Sequence, residues 1–205
     1  MWNKFLKDEK GFTGLEAAIV LVAFVVVAAV FSYVMLGAGF YTTQKSQEVV
    51  HTGVQQASSS VELSGDVLAN GDTTNNIIED VNLFLQLTAG GSSVDMSKTL
   101  ITYTDPVKGT VDLSANPAGT YASLPTANAT QFGITAIYND NGQQNLLIEK
   151  GEKFEIKVDL TAATGLGASI GPYNEFQLEI KPPQGASYTI HRKAPASISD
   201  IMALN

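Results

Sequence analysis

GFTGLEAAIVLVAFVVVAAVFSYVMLGAGF, residues Gly11 to Phe40, decides the fold. Apart from Glu16 no side chain in it is charged at neutral pH, and the charge-free run continues to Gln44. A helix rises about 1.5 Å per residue, so roughly 20 apolar residues cross the hydrocarbon core of a bilayer. This stretch is longer than that and has no proline to break it. Its Ala, Val, Leu, Ile and Phe leave no polar face, so the helix must bury its surface all round, in lipid or against other helices.

Working toward the N-terminus, Lys4, Lys7 and Lys10 stand against Asp8 and Glu9, a small positive excess before the apolar run. By the positive-inside rule this end stays cytoplasmic and the chain after Phe40 emerges outside. An ordinary signal peptide has an apolar stretch of about 7–15 residues and then a small-residue cleavage site. Here the stretch is too long and no A-x-A site follows it, so composition alone reads as an uncleaved anchor.

Working toward the C-terminus, Thr42 to Glu48 turn polar while Val49, Val50, Val54 and Val61 keep an apolar stripe. This predicts one long helix continuing to about Ser60, amphipathic in its second half and bent slightly at Gly53. From Val61 the period becomes two. Ile78, Val81, Leu83, Leu85 and Leu87 form one strand-like run; Phe154, Ile156, Val158 and Leu160 alternate with polar residues, as do Phe176, Leu178 and Ile180. Such alternation marks half-buried strands. Further strands are expected near 98–104, 108–113, 130–138, 143–149 and 186–191. Turn chemistry separates them at Asn70-Gly71-Asp72, Gly90-Gly91, Asp105-Pro106, Asn139-Asp140-Asn141-Gly142, Gly151 and Pro182-Pro183. The expected class is α+β: a long hydrophobic N-terminal helix followed by an all-β, Ig-like sandwich or barrel as a head. The tail from Ala194 should pack back on the head or on a neighbour.

The 205 residues suffice for one ordinary domain plus an appended segment. The formal charge of −8 and the lack of clustered Lys and Arg argue against nucleic acid as a partner. With no cysteine, disulfides, thiolate nucleophiles and Cys-ligated zinc are excluded. His51 and His191 have no recognisable Ser or Asp partner, no HExxH, GxSxG or P-loop occurs, and Gly165-Leu166-Gly167 reads as a loop. Asn139-Asp140-Asn141-Gly142 lines up oxygen ligands, but without the spacing and terminal Glu of a calcium loop it reads as a turn with Gly at positive φ. No catalytic residue, cofactor or metal site is expected. One sequon, Asn128-Ala129-Thr130, lies between predicted strands and is a candidate N-glycan acceptor.

The boundary Lys10-Gly11-Phe12-Thr13-Gly14-Leu15-Glu16 sets a Gly between a charged leader and the apolar helix, with a Glu five residues on. This resembles the class III signal of type IV pilins and archaellins (archaeal flagellins). The wider run through the Gln44-Lys45-Ser46-Gln47-Glu48 segment is similar to an archaellin N-terminus. The resemblance implies a membrane peptidase cut between Gly11 and Phe12. Residues 1–11 would be a cleaved leader, 12–60 the helix in the filament core, and 61–205 the head on its surface. It implies a homo-oligomeric helical filament, alone or with other archaellins, for swimming. Its other partners would be the peptidase, an assembly ATPase and a membrane platform. The precursor would sit transiently in the cell membrane and the product outside the cell. Glu16 would pair with the new α-amine of Phe12 on another subunit, an amine largely cationic at neutral pH; alternatively it only complements the positive end of the helix dipole. Ala17, Ala18, Ala23, Ala28, Ala29, Gly37 and Gly39 would let helix backbones approach closely, although alanine is also simply a good helix former. The other readings are an adhesive archaeal type IV pilus subunit and a single-pass anchored extracellular binding domain.

Overall fold

The computed structural model of the chain describes residues 9–115, 122–143, 145–161 and 165–204, with side chains from Gly14 onward. Most of the expected leader lies outside the described residues. The chain divides into two compact units, Met1–Thr52 and Gly53–Asn205.

The first unit is helical. The helix α1 spans Glu9–Ser58 without interruption, so Gly37, Gly39 and Gly53 sit inside it. Thr42 and Thr43 donate their hydroxyls back to the carbonyls of Ala38 and Gly39, at 2.8 and 2.9 Å. Such back-bonding satisfies a polar side chain inside a helix that is turning from apolar to polar. The expected helix end near Ser60 falls two residues earlier, at Ser58.

The second unit carries β1 (Val61–Leu63), β2 (Val67–Asp72), β3 (Ile77–Leu87), β4 (Val94–Asp95), β5 (Leu100–Asp105) and β6 (Gly109–Ala115). After them come β7 (Gln131–Tyr138), β8 (Leu147–Ile148), β9 (Lys153–Asp159), β10 (Glu175–Lys181), β11 (Tyr188–Lys193) and β12 (Ile201–Leu204). The main sheet runs in the order β11-β10-β5-β6-β7-β9-β3-β2-β12, with β1 beside β3. Nearly all of its pairings are antiparallel. The exception among the described residues is β6 with β7, parallel and only two pairs long, Ser114↔Gln131 and Ala115↔Phe132. β7 then leaves β6 and pairs with β9 through a register shift between Ile134 and Ala136. A strand that changes sheets at a bulge is how a sandwich turns a corner, and here it closes the sheet toward a barrel. The inward residues of both halves, among them Leu83, Phe154, Ile101 and Leu178, share one core.

Several expectations need correction. The run at 143–149 shortens to β8, which among the described residues pairs with β4 alone. His191 does not end its strand but lies inside β11, 3.8 Å from Glu175. Asn70-Gly71-Asp72 is not a turn but the end of β2, at a register shift against β3. Gly is needed there for room: a Cβ on Gly71 would lie 2.2 Å from the Ile198 side chain. The C-terminal tail causes that contact, since it returns as β12 to pair with β2.

Candidate assembly surface

From Gly14 onward every described residue of the first unit is exposed. Leu15, Phe24, Phe31 and Phe40 each show 61–71% of their surface. A soluble helix hides such side chains. One described helix is long and apolar enough to cross a membrane.

The small residues are arranged on this helix. At 100° per residue an interval of 11 residues advances three turns and about 20°. Ala17, Ala28 and Gly39 are spaced by 11, as are Ala18 and Ala29, so these five make a broad seam of two rows about 100° apart on one side, with Leu21, Val25 and Leu36 between them. Ala23 and Gly37 lie on another side. A Cβ added at Gly37 or Gly39 would meet nothing within 4 Å. A helical Gly costs about 1 kcal/mol relative to Ala, and among the described residues no close contact accounts for it at either position. Glu16, Ala17, Val20, Leu21, Phe24 and Val25 line a shallow trough on the helix surface. Glu16 is exposed at its rim. Gly11 and Phe12 are helical backbone near the start of α1, and their side chains lie outside the description. Sequence reading found the small residues but missed their 11-residue period.

In the second unit, a serine collar follows the last turn of α1. Ser59 is buried, and its N–H still donates to Gln55 O at 2.8 Å. The Ser58 hydroxyl lies 3.1 Å from that of Ser92, and the Ser60 hydroxyl 2.8 Å from that of Thr88. Gly185, at φ +98°, lies against the Ser59 carbonyl: a Cβ there would be 1.3 Å from that oxygen. The Pro182–Gly185 turn therefore grips the chain where β1 begins. No sequence motif announced this contact.

The polar groups of the head serve its own turns. Tyr103 is buried and donates to Asp105 Oδ2 at 2.6 Å. Asp105 also accepts the backbone N–H groups of Val107 and Lys108 in the turn between β5 and β6. Burial pushes the Asp105 carboxyl up, but the Tyr103 and backbone hydrogen bonds outweigh it and hold it below the usual range. The Tyr103 hydroxyl is pushed up, first by burial and then by Asp105. In the Asn139–Gly142 segment Asn139 and Gly142 have φ of +56° and +88°. Buried Glu152 accepts the N–H groups of Asn141 and Glu149, so the segment folds around a carboxylate. Among the described residues no cluster of three or more His, Cys, Asp or Glu could hold a metal.

Asn128 occupies a tight turn. Its N–H donates to Gln131 O at 2.8 Å, and its Oδ1 accepts the Thr130 N–H at 3.0 Å. Ala129 and Thr130 are exposed.

A family model described as archaeal-type flagellin matches residues 11–192. The chain belongs to that family. As an archaellin it is a structural subunit of the archaeal flagellar filament, an extracellular structure of the cell surface; of the readings open to the sequence, this is the one the family match supports. Probable flagellin 1 of Archaeoglobus fulgidus is 52% identical over 208 residues, covering 100% of this chain and 99% of that one. Probable flagellin 1 of Aeropyrum pernix is 33% identical over 202 residues, covering 94% and 96%. Among solved structures, the archaeal flagellum of Methanospirillum hungatei strain JF1 aligns with a TM-score of 0.68 at 31% identity, covering 93% and 98%. A crystal structure of an archaeal flagellin from Methanocaldococcus jannaschii shares the fold, with a TM-score of 0.58 at 18% identity over 70% of this chain and 95% of that one.

Proposed function

We propose that this archaellin reaches the filament by exchanging lipid for the corresponding helices of other subunits, after its leader is cut between Gly11 and Phe12. The observation that carries the reading is the α1 surface, apolar on all sides and exposed from Leu15 to Tyr41. Lipid and a bundle of like helices solvate such a surface about equally, so close packing sets the preference. The seam of Ala17, Ala18, Ala28, Ala29 and Gly39, with Ala23 and Gly37 on another side, supplies that closeness. Residues 12–60 then form the filament core and 61–205 its wall. In the membrane the precursor meets a peptidase, an assembly ATPase and a platform, and this chain contributes no catalysis of its own.

The cut point is supported by the family match, which starts at Gly11. Gly11 and Phe12 lie in the first turns of α1, where helices open most cheaply. Cleavage leaves an α-amine on Phe12, and Glu16 of another copy neutralises it in this reading, since either charge alone is costly in an apolar core. Asn128 is read as an N-glycan acceptor on the outer surface.

Intact mass and N-terminal sequencing of subunits taken from filaments test the proposal. Phe12 is the expected first residue, and Gly11→Val should leave full-length protein in the membrane without filaments. Filaments whose subunits begin at Met1 would overturn it.

A further inference from the structure

Between β7 and the segment that precedes it lies a cleft of about 450 Å³. The segment at 124–127 folds back along β7, with Ile134 N–H donating to Pro125 O at 2.7 Å. Gly133 makes the approach feasible, because a Cβ there would sit 2.6 Å from Ala127 N. The walls mix two chemistries. Leu124, Pro125 and Ile134 are apolar, whereas the polar groups are Thr135, Lys157 and Asp159. These are already bonded to Glu155 O, Asp80 and Thr161, but each has capacity for more than one hydrogen bond. A volume within about 300–1,000 Å³, with apolar walls and a few polar groups, has the character of a small-ligand site.

The sequon begins where this cleft ends. Ala127 lines the cleft and Asn128 is the next residue. The Asn128 side chain has one preferred orientation, because Nδ2 donates to Gln131 Oε1 at 2.7 Å while Oδ1 accepts from Thr130. An amide nitrogen carries two hydrogens. Replacing one by a sugar leaves the other for Gln131, so attachment need not break the turn. Any saccharide on Asn128 is then tethered at the rim, at a high effective concentration for the cleft, and weak contacts suffice to hold it there.

Building on the proposed glycosylation, we infer that the cleft between 124–127 and β7 is the docking site of the Asn128 glycan. The apolar C–H faces of the sugars lie on the half-buried Leu124, and their hydroxyls hydrogen-bond with Thr135, Lys157 and Asp159. The glycan thereby becomes part of the wall of the head and covers the backbone at the corner where the sheet turns.

The test uses subunits expressed from the whole sequence in an archaeal host that N-glycosylates, with or without leader removal, and solubilised in detergent. Wild type is compared with Thr130→Ser, which keeps the sequon, and Thr130→Ala, which removes it but retains Asn128 and its bonds to Gln131. Glycopeptide mass spectrometry reads occupancy, and amide hydrogen exchange reads protection at 124–127 and 133–135. Expected is a modified Asn128 in wild type and Thr130→Ser, with exchange in both segments slowed about threefold or more relative to Thr130→Ala. An unmodified Asn128 in wild type would remove the glycosylation reading and this inference with it. A modified Asn128 with unchanged exchange, or with slowing confined to 128–131, would mean a sugar standing free in solvent: glycosylation would stand and docking would fall.

Discussion

Replacing Tyr103 by Phe removes one hydroxyl from the β5–β6 corner. Tyr103 is fully buried, its ring centroid is 6.2 Å from that of Phe176, and its hydroxyl is 2.6 Å from Asp105 Oδ2. Phe keeps the ring and its packing, so the cost isolates the hydrogen bond. A bond to a charged acceptor contributes about 1.5–3 kcal/mol. Asp105 is only 7% exposed and keeps its backbone donors at Val107 and Lys108, which argues for the middle of that range, about 2 kcal/mol. For a domain of this size each kcal/mol lowers Tm by about 2–4 °C, giving a fall of about 4–8 °C at pH 7. The pH dependence carries the sharper signature. The Asp105 carboxyl is held low in the folded state. Its contribution is therefore complete above the unfolded value, about 3.9, and is lost as pH falls through the lower folded value. Without the Tyr103 donor the folded value rises toward the unfolded one, so the gap between variant and wild type should shrink from pH 6 to pH 2. Thermal unfolding of the detergent-solubilised chain, followed by circular dichroism across that range, measures both. A variant as stable as wild type at pH 7, or a gap unchanged at pH 2, would refute the reasoning.

Gly185→Ala and Gly142→Ala separate backbone strain from collision. Both glycines have positive φ, but only Gly185 faces a neighbour, the Ser59 carbonyl. Gly142→Ala should lower stability by about 1 kcal/mol and Gly185→Ala by about 3 or more; equal losses by urea unfolding would contradict the collar. Ala28→Leu should abolish filaments in electron micrographs while head unfolding stays within about 0.5 kcal/mol of wild type, and normal filaments would disprove the seam. Lys4, Lys7, Lys10 and Lys45 balance Asp8, Glu9, Glu16 and Glu48, leaving the whole formal charge of −8 on residues 53–205. Crowded heads should repel, so filaments should dissociate at lower temperature in about 0.01 M than in about 0.1 M salt, where the screening length falls from about 30 to about 10 Å; equal dissociation temperatures would count against it.

Local pattern carries some of these features and long-range contact the others. The helix was legible because an apolar run of that length has few physical solutions, and the change of period at Val61 marked the head because side chains alternate in a half-buried strand. Turns were legible only in part: Gly142 takes the positive φ that the composition of Asn139–Gly142 implies, but the segment is held by Glu152, 11 residues from Asn141. Asn70-Gly71-Asp72 was misread because its composition is that of a turn, whereas its conformation is set by β12, which arrives from more than a hundred residues away. The collar at Ser58–Ser60 and the cleft beside Asn128 were equally invisible, since each depends on loops brought together across the chain. The sequence by itself determined that this protein is a hydrophobic helix bearing a β head and that the helix needs partners, because periodicity and burial need act over a few residues. Only the tertiary structure decided which strands meet at the corner, where glycines permit contact and what lies beside Asn128. Those outcomes depend on pairings between distant segments, for which neighbouring residues carry no record.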